Sequence, residues 1–543
     1  MAQGNHALIN GNVFTADDAQ PSATAVAIHN GIIVYVGNDD KAAREAAGQD
    51  SEVTDLAGRS ATPGLIDAHC HPLPYGDSLA NIDLQTGVQS VQDILDRVRE
   101  AATKTPPGQW LAGWGYYTQT IREGRPPNRR ELDSVAPDHP VALTQRSGHE
   151  AATNSLGLKL GGYTRDTLDP EGGLIERDEQ GELTGVLIEN ATHALGDAAT
   201  PDVTPERAEA NLRRAVESFL SFGITSVGEA HLTNSDALRL YQKVQSNKST
   251  PRVRFNLMLA HRFALEAIET LGIETGFGSE WLRVGPMKFF LDGTEGQRTA
   301  RISQPYQDDA GNTGMWMFST DEFRERIIRA HLAGWQCAVH AIGDAAIELT
   351  LDAYRDAQRQ LSRPDIRHRI EHASLLRPDL VDRLAHENVI PVPGGRFASN
   401  DYPVLIERFG AERVRWYQPW NSLLERNIPV PVSSDAPVQS PDPARNLWAI
   451  VNSRSEFDRD HIMQPEERIN LEETLLAYTR NGAYASHEEH RKGTLKPGLL
   501  GDVTVFNTDL AAVDPLDLDQ VRADMTIVAG EVAFRSDGVN GSH

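Results

Sequence analysis

At 543 residues, with 39% hydrophobic and 24% charged residues, the chain has the composition of a large folded protein rather than a disordered one. A formal net charge of −25 excludes binding to nucleic acid or an anionic membrane by bulk electrostatics, and two cysteines, Cys70 and Cys337, exclude a disulfide framework while leaving one bridge open. The N-terminus has no basic start and no apolar core, and no run of about 18 apolar residues occurs, so neither a secretory signal nor an ordinary membrane span is expected and the expected location is cytoplasmic.

Residues 7–37 read as short strands divided by turns, with Asn10-Gly11 and Asn30-Gly31 as hairpin signals between apolar runs. Residues 73–218 form a long insert rich in Gly, Pro, Trp and Tyr. It either shapes a binding site or only packs beside the main domain. Apolar strands then alternate with amphipathic helices. The strands end near Gly228, Leu259, Leu291, His340, His372, Val392 and Ser433, and the helix predicted over 321–333 places Phe323, Ile327, Ile328 and Leu332 on one face. The last segments, 501–506 and 526–534, are again short strands. This order predicts an α/β protein: a (β/α)8 TIM-type barrel with a small β-sandwich domain built from both chain termini. The expected boundaries are 1–62 and 486–543 for the two parts of the sandwich and 63–485 for the barrel, insert included. A doubly wound sheet is the alternative, but no Gly-rich phosphate fingerprint follows the first strand.

The chemistry begins at His69 and His71. Side chains alternate along a strand, so these two imidazoles share a side while Cys70 takes the other, a spacing that can hold one metal ion. Lys288 sits in an apolar strand, where a buried ammonium must be paired, deprotonated or modified; the bland reading is a lysine reaching for Asp292. His340 and His372 each end a strand and taken singly read equally as core histidines. Asp435 follows the last strand, where it reads as a site carboxylate or a turn cap. Together these residues fall at the carboxyl ends of separate strands, where barrel enzymes assemble their sites.

The ordered motifs Pro63-Gly-Leu-Ile-Asp-Ala-His-Cys-His71, Gly148-His-Glu-Ala-Ala-Thr-Asn154, Gly223-Ile-Thr-Ser-Val227, Lys288-Phe-Phe-Leu-Asp-Gly-Thr294, Val339-His-Ala-Ile-Gly-Asp344, Arg369-Ile-Glu-His-Ala373 and Ser434-Asp-Ala-Pro437 resemble the amidohydrolase superfamily, and within it the YtcJ-like (amidohydrolase-3) branch, over nearly the whole chain. The resemblance implies a metal-dependent hydrolase that cleaves a carbon–nitrogen bond of an amide, imide or carbamate by a metal-activated hydroxide. It implies His69, His71 and Asp435 on one divalent ion, His340 and His372 on a second, and a Lys288 carboxylated by CO2 bridging the two. It makes Asp435 the general base and then general acid, and places His340 with it among the catalytic residues. Zinc suits imidazole donors best, with manganese, iron or nickel as alternatives.

Two departures from the pattern bear on substrate: Val392-Pro-Gly-Gly-Arg396 replaces a familiar Gln-Pro stretch, and Glu229 stands where a relative carries His or Asp, with structural pairing its preferred reading. Substrate-facing candidates are His149, Asn154, Trp114, Arg298, Arg301 and Trp316. The two arginines suit a substrate carboxylate or brace their loop through Asp292 or Glu295. A mononuclear deaminase or a lactone or ester hydrolase of the same superfamily is the alternative function, with a non-catalytic binding protein behind both. The expected partner is a small molecule, with neither nucleic acid nor membrane, and the default assembly is a homodimer.

Overall fold

A computed structural model of the chain describes residues 4–85, 87–118, 121–146, 148, 150–170, 173–199, 204–317 and 319–536. It divides into two compact units: residues 1–71, 216–435 and 441–543 form the first, and residues 72–215 with 436–440 form the second.

The first unit is built around seven parallel strands: β1 (Leu65–Cys70), β2 (Ile224–Leu232), β3 (Arg254–Ala260), β4 (Leu282–Phe290), β5 (Cys337–Ala341), β6 (Arg369–His372) and β7 (Ile390–Val392). Each pairs with its sequence neighbour, so the sheet runs β7-β6-β5-β4-β3-β2-β1. Every residue of β1, β3, β5 and β6 is buried, as expected for parallel strands covered on both faces.

The barrel is nearly closed, and the eighth position is filled by an extended segment rather than a regular strand. Val432 accepts from the Ala68 amide (3.1 Å) and Asp435 donates to the His69 carbonyl (2.9 Å). On the other edge Ser433 donates to Pro393 (3.1 Å) and accepts from Gly395 (2.9 Å). Pro429 and Pro431 explain the irregularity. They share the direction of the Ser433 amide under period-two alternation but carry no N–H, so the ladder toward β7 cannot continue.

The helices between strands bury one stripe each. Asp344–Gln360 buries Ile347, Leu351 and Tyr354. Thr320–Leu332 buries Phe323 and Ile327, but Leu332, expected on the same face, is 42% exposed, and Ala330 and His331 take its place.

Strands from both chain ends share one six-stranded sheet, where Val503–Phe506 pairs antiparallel with Ser60–Pro63. A separate four-stranded sheet contains His6–Ile9 and Ala25–His29, and Asn30-Gly31 makes the predicted turn with φ of 51° and 76°. Leu8, Val26 and Ile28 of that sheet join Val13, Ala61, Val505, Met525 and Ile527 of the other in one hydrophobic core. The N-terminal strands also pack Ala7, Ile9, Ala25 and Ala27 against Ala43 and Ala47 of the Asp40–Ala47 helix. A buried ion pair ties β3 to the C-terminal strands: Arg254 donates to Asp502 through Nε (2.7 Å) and Nη2 (2.9 Å).

The second unit carries its own six-stranded sheet, with Gly173–Arg177 and Ile82–Asp83 at its edges and Leu111–Tyr116 and Val141–Gln145 inside. Val91–Lys104 lays Ile94, Leu95 and Val98 against it. The long insert is thus a folded unit with its own core.

Candidate metal centre

At the carboxyl ends of the barrel strands the first unit gathers four imidazoles. The ring centroids of His69 and His71 lie 5.7 Å apart, those of His69 and His372 5.1 Å, and those of His340 and His372 4.6 Å. Among the described residues, His69, His71 and Asp435 form a group whose ligand atoms all lie within 4.8 Å of one another.

Asp435 Oδ1 stands 3.2 Å from His71 Nε2 and 3.5 Å from His69 Nε2 yet completes no directed hydrogen bond among the described residues. His69 Nδ1 is engaged by Glu371, so Nε2 of a neutral His69 is a bare lone pair facing a carboxylate oxygen. Two acceptors aimed at each other in a buried site are the arrangement a cation between them relieves, and the imidazole and carboxylate donors suit zinc and its neighbours.

Backbone strain accompanies this geometry. His372 and Asp435 adopt left-handed φ values of 69° and 56°, conformations that cost on the order of 1–3 kcal/mol each for residues with a side chain and cluster at functional sites. A clamp holds Asp435 in place: the buried Asp67 carboxylate accepts from the Ser434 amide (3.0 Å), the Ser434 hydroxyl and the His69 amide (3.3 Å). Burial pushes the Asp67 carboxyl up to about 6 despite these bonds.

Lys288 is 1% exposed, and among the described residues its Nζ has no hydrogen-bond partner; it lies 4.8 Å from the centre of the Phe290 ring. Burial pushes its ammonium down to about 8 against the pull of the Glu371 and Asp435 carboxylates. The reach toward Asp292 does not occur, because that carboxylate is consumed by the amides of Ile342, Gly343 and Arg301 at 2.9–3.1 Å. His340 Nε2 stands 3.7 Å from Asp292 Oδ1, a carboxylate already taken up by three backbone amides. A buried amine beside His340 and His372 fits a modification that would turn it into an anionic partner for them. His340 Nε2 lies 3.1 Å from the Gly293 carbonyl.

Around these residues stands a shell that the sequence reading quoted without assigning. Arg369 donates to Glu371 through both Nε and Nη2 at 2.8 Å. Burial alone would raise the Glu371 carboxyl, but Arg369 and His69 outweigh it and hold it below the usual carboxylate range. The alternation Arg369-x-Glu371 was the available signal, since two charged residues on one side of a buried strand require each other. Glu229 has the structural pairing preferred for it, accepting from the Tyr241 hydroxyl and the His231 amide (3.0 Å), with His71 Nδ1 3.8 Å away. Cys70 and Cys337 are both buried free thiols, so the bridge left open does not form.

The substrate-facing candidates are corrected in part. Asn154 is 0% exposed, and its amide is fully used: the oxygen accepts from Val141 (3.1 Å) and Gly157 (2.9 Å), and the nitrogen donates to Ala136 (3.3 Å) and His139 (2.7 Å). It caps the Ser155–Leu160 helix, which removes it from the substrate set. Arg298 and Arg301 brace their loop, though not through the expected side-chain pairs. Arg298 Nε donates to Asp308 (3.0 Å), and the Arg301 guanidinium turns to Thr313 and Gly314 and lies 5.2 Å from the Trp316 ring. Trp114 belongs to the second unit, where its indole N–H donates to the Pro437 carbonyl (3.4 Å). His149 lies outside the described residues. Arg396 is buried and paired with Glu456 at 2.7–2.9 Å.

A parallel barrel that carries imidazoles, a carboxylate and a lysine at its strand ends is the construction of a metal-dependent hydrolase. The amidohydrolase family model matches residues 52–534, and the chain belongs to that family. The N-substituted formamide deformylase of Arthrobacter pascens is 30% identical over 98% of this chain and 98% of its own length. YtcJ of Bacillus subtilis strain 168 is 28% identical, over 96% and 98%. Among solved structures, an uncharacterized metal-dependent hydrolase from Pyrococcus furiosus is 30% identical with a TM-score of 0.74, covering 94% of this chain and 100% of that one.

Proposed function

We propose that this chain hydrolyses a carbon–nitrogen bond of a small amide-type substrate, with N-substituted formamides as the first class to test. The single observation that carries the reading is the facing of His69 Nε2, His71 Nε2 and Asp435 Oδ1, with a buried Lys288 Nζ that has no hydrogen-bond partner among the described residues. The similarity to a formamide deformylase over nearly the full length of both chains favours that substrate class.

His69, His71 and Asp435 would hold one divalent ion, and His340 and His372 a second. Lys288, carboxylated by CO2, would join the two. Bound there, zinc or a similar ion supplies Lewis acidity toward a carbonyl oxygen and lowers the pKa of water. Within that setting Asp435 accepts a proton from the attacking water as its oxygen bonds to the carbonyl carbon. It then delivers that proton to the leaving nitrogen as the C–N bond breaks, so one water is consumed and an acid and an amine are released. The Asp67–Ser434 clamp holds the backbone that carries the Asp435 carboxylate through both transfers, and burial, which lowers the Lys288 pKa, favours the neutral amine that reacts with CO2.

The test is a hydrolysis screen of the zinc- or manganese-loaded protein on N-substituted formamides, N-acyl amino acids, cyclic imides, carbamates and lactones. Amine release from formamides is the expected result. Turnover of deamination substrates alone would overturn the reading.

A further inference from the structure

The two histidines of the His-x-His pair are not held alike. His71 Nδ1 lies 3.8 Å from Glu229 Oε1, beyond a hydrogen bond, and its side chain is 23% exposed. His69 is 1% exposed, and its Nδ1 is engaged by Glu371 Oε2. Glu371 is itself fixed. Its Oε1 accepts from Arg369 Nε and its Oε2 from Arg369 Nη2, both at 2.8 Å, and Nη2 also donates to the Ala68 carbonyl at 3.0 Å, one residue before His69. The guanidinium thus grips the carboxylate of its own strand and the backbone of β1 together.

We infer that Glu371 is a positioning residue that locks His69 in the Nδ1–H tautomer, with Arg369 as its anchor, so that Nε2 is presented bare to Asp435 and His71. A carboxylate gripped by a guanidinium is an acceptor only, so His69 Nδ1 must donate, and the other nitrogen of a neutral ring then carries no hydrogen. The opposite tautomer sets two acceptors against each other at Glu371, where both side chains are buried. Arg369 and Glu371 are two residues apart on β6 and share a side, so the pair is pre-assembled by strand geometry before any ligand arrives. The inference rests on the proposed reading of His69 as a metal ligand, but it concerns the apo protein as much as the loaded one.

The experiment uses the full-length chain, zinc alone as probe and a competing chromophoric chelator. The variants are Glu371→Gln, which keeps an acceptor, and the double change Arg369→Met/Glu371→Leu, which removes both charges and leaves neither buried alone. Histidine-labelled apo protein is followed by 15N NMR, with His69→Ala assigning the resonance. The expected result is a pure Nδ1–H His69 in the parent and a tautomer mixture in the double variant. The zinc equivalent that His69→Ala abolishes should weaken about 10–100-fold in the double variant, with Glu371→Gln in between. Parent-like zinc affinity in variants that still melt cooperatively, or an Nε2–H His69 in the parent, would overturn the inference. A chain with no turnover on any amide but with these zinc and tautomer shifts would refute the proposed function and leave the positioning role standing. A parent chain that binds no zinc would refute both.

Discussion

Asp435 and Lys288 concentrate the testable chemistry at the scale of single residues. Asp435→Asn keeps the oxygen that faces His69 and His71 but not the basicity, so zinc content should stay near that of the parent while kcat falls by about 10^2–10^4-fold. Elemental analysis beside steady-state kinetics checks both, and near-parent turnover would remove Asp435 from its role. Lys288 should carry the mass of one added CO2 in native mass spectra taken at neutral pH with bicarbonate, and Lys288→Ala should lose that mass together with one metal equivalent. A metal count unchanged in Lys288→Ala would show that the lysine bridges nothing. The sequence exposed these residues because each breaks a local rule, an ionisable side chain in an apolar strand. It did not expose Asp67 or the Arg369–Glu371 pair as working parts, because a buried charge acquires meaning only from what stands opposite. Asn154 shows the converse: its motif pointed to a ligand, and only the fold revealed that its amide is spent on capping one helix and tying down the backbone of Val141, Ala136 and His139.

At the scale of elements, helix Thr320–Leu332 and the segment leading into β6 share a buried histidine chain. The Cys337 amide donates to His368 Nδ1 (2.9 Å), His368 Nε2 meets His331 Nδ1 (2.9 Å), and His331 Nε2 meets the Leu361 carbonyl (2.7 Å). The chain is consistent only if both rings are neutral, each donating once and accepting once. Burial lowers the pKa of both, His368 strongly. The unfolded chain takes up protons at these rings below about pH 6.5 and the folded chain does not. Their stabilisation is therefore present above that pH and is lost as the pH falls toward the depressed folded values. Each ring contributes a slope of at most about 1.4 kcal/mol per pH unit. The urea midpoint of the parent should fall steadily from pH 7 to 5, and His331→Gln, which does not titrate, should flatten that slope. An identical slope in both proteins would show that the pair does not set acid lability. Element types were readable from periodicity, as in the strands that end at His340 and His372. The eighth barrel position was not a strand because Pro429 and Pro431 remove donors on the side that the fold turns toward β7.

For the whole molecule the dominant quantity is charge. A net charge of −25 repels itself in the folded state, and that repulsion is reduced when the Debye length shrinks from about 10 Å at 0.1 M salt to about 3 Å at 1 M. The melting temperature should therefore rise by on the order of a few degrees between 0.1 and 1 M potassium chloride, and a calorimetric scan decides it. No rise would mean that self-repulsion does not limit stability at 0.1 M salt. No helix among the described residues is long and apolar enough to cross a membrane.

The sequence by itself determined the strand–helix order, the pairing of the two chain ends and the identity of the six residues at the strand ends. These follow from periodicity and from the rarity of ionisable groups in apolar strands, both of which are local properties. The tertiary structure alone decided that His69, His71 and Asp435 face one point and that Lys288 has no hydrogen-bond partner among the described residues. It also assigned the insert a core of its own and gave His69 a gripped carboxylate behind it. Those facts depend on distances between residues as far apart as His69 and Glu371, which lie 302 positions apart in sequence and meet only when the barrel closes.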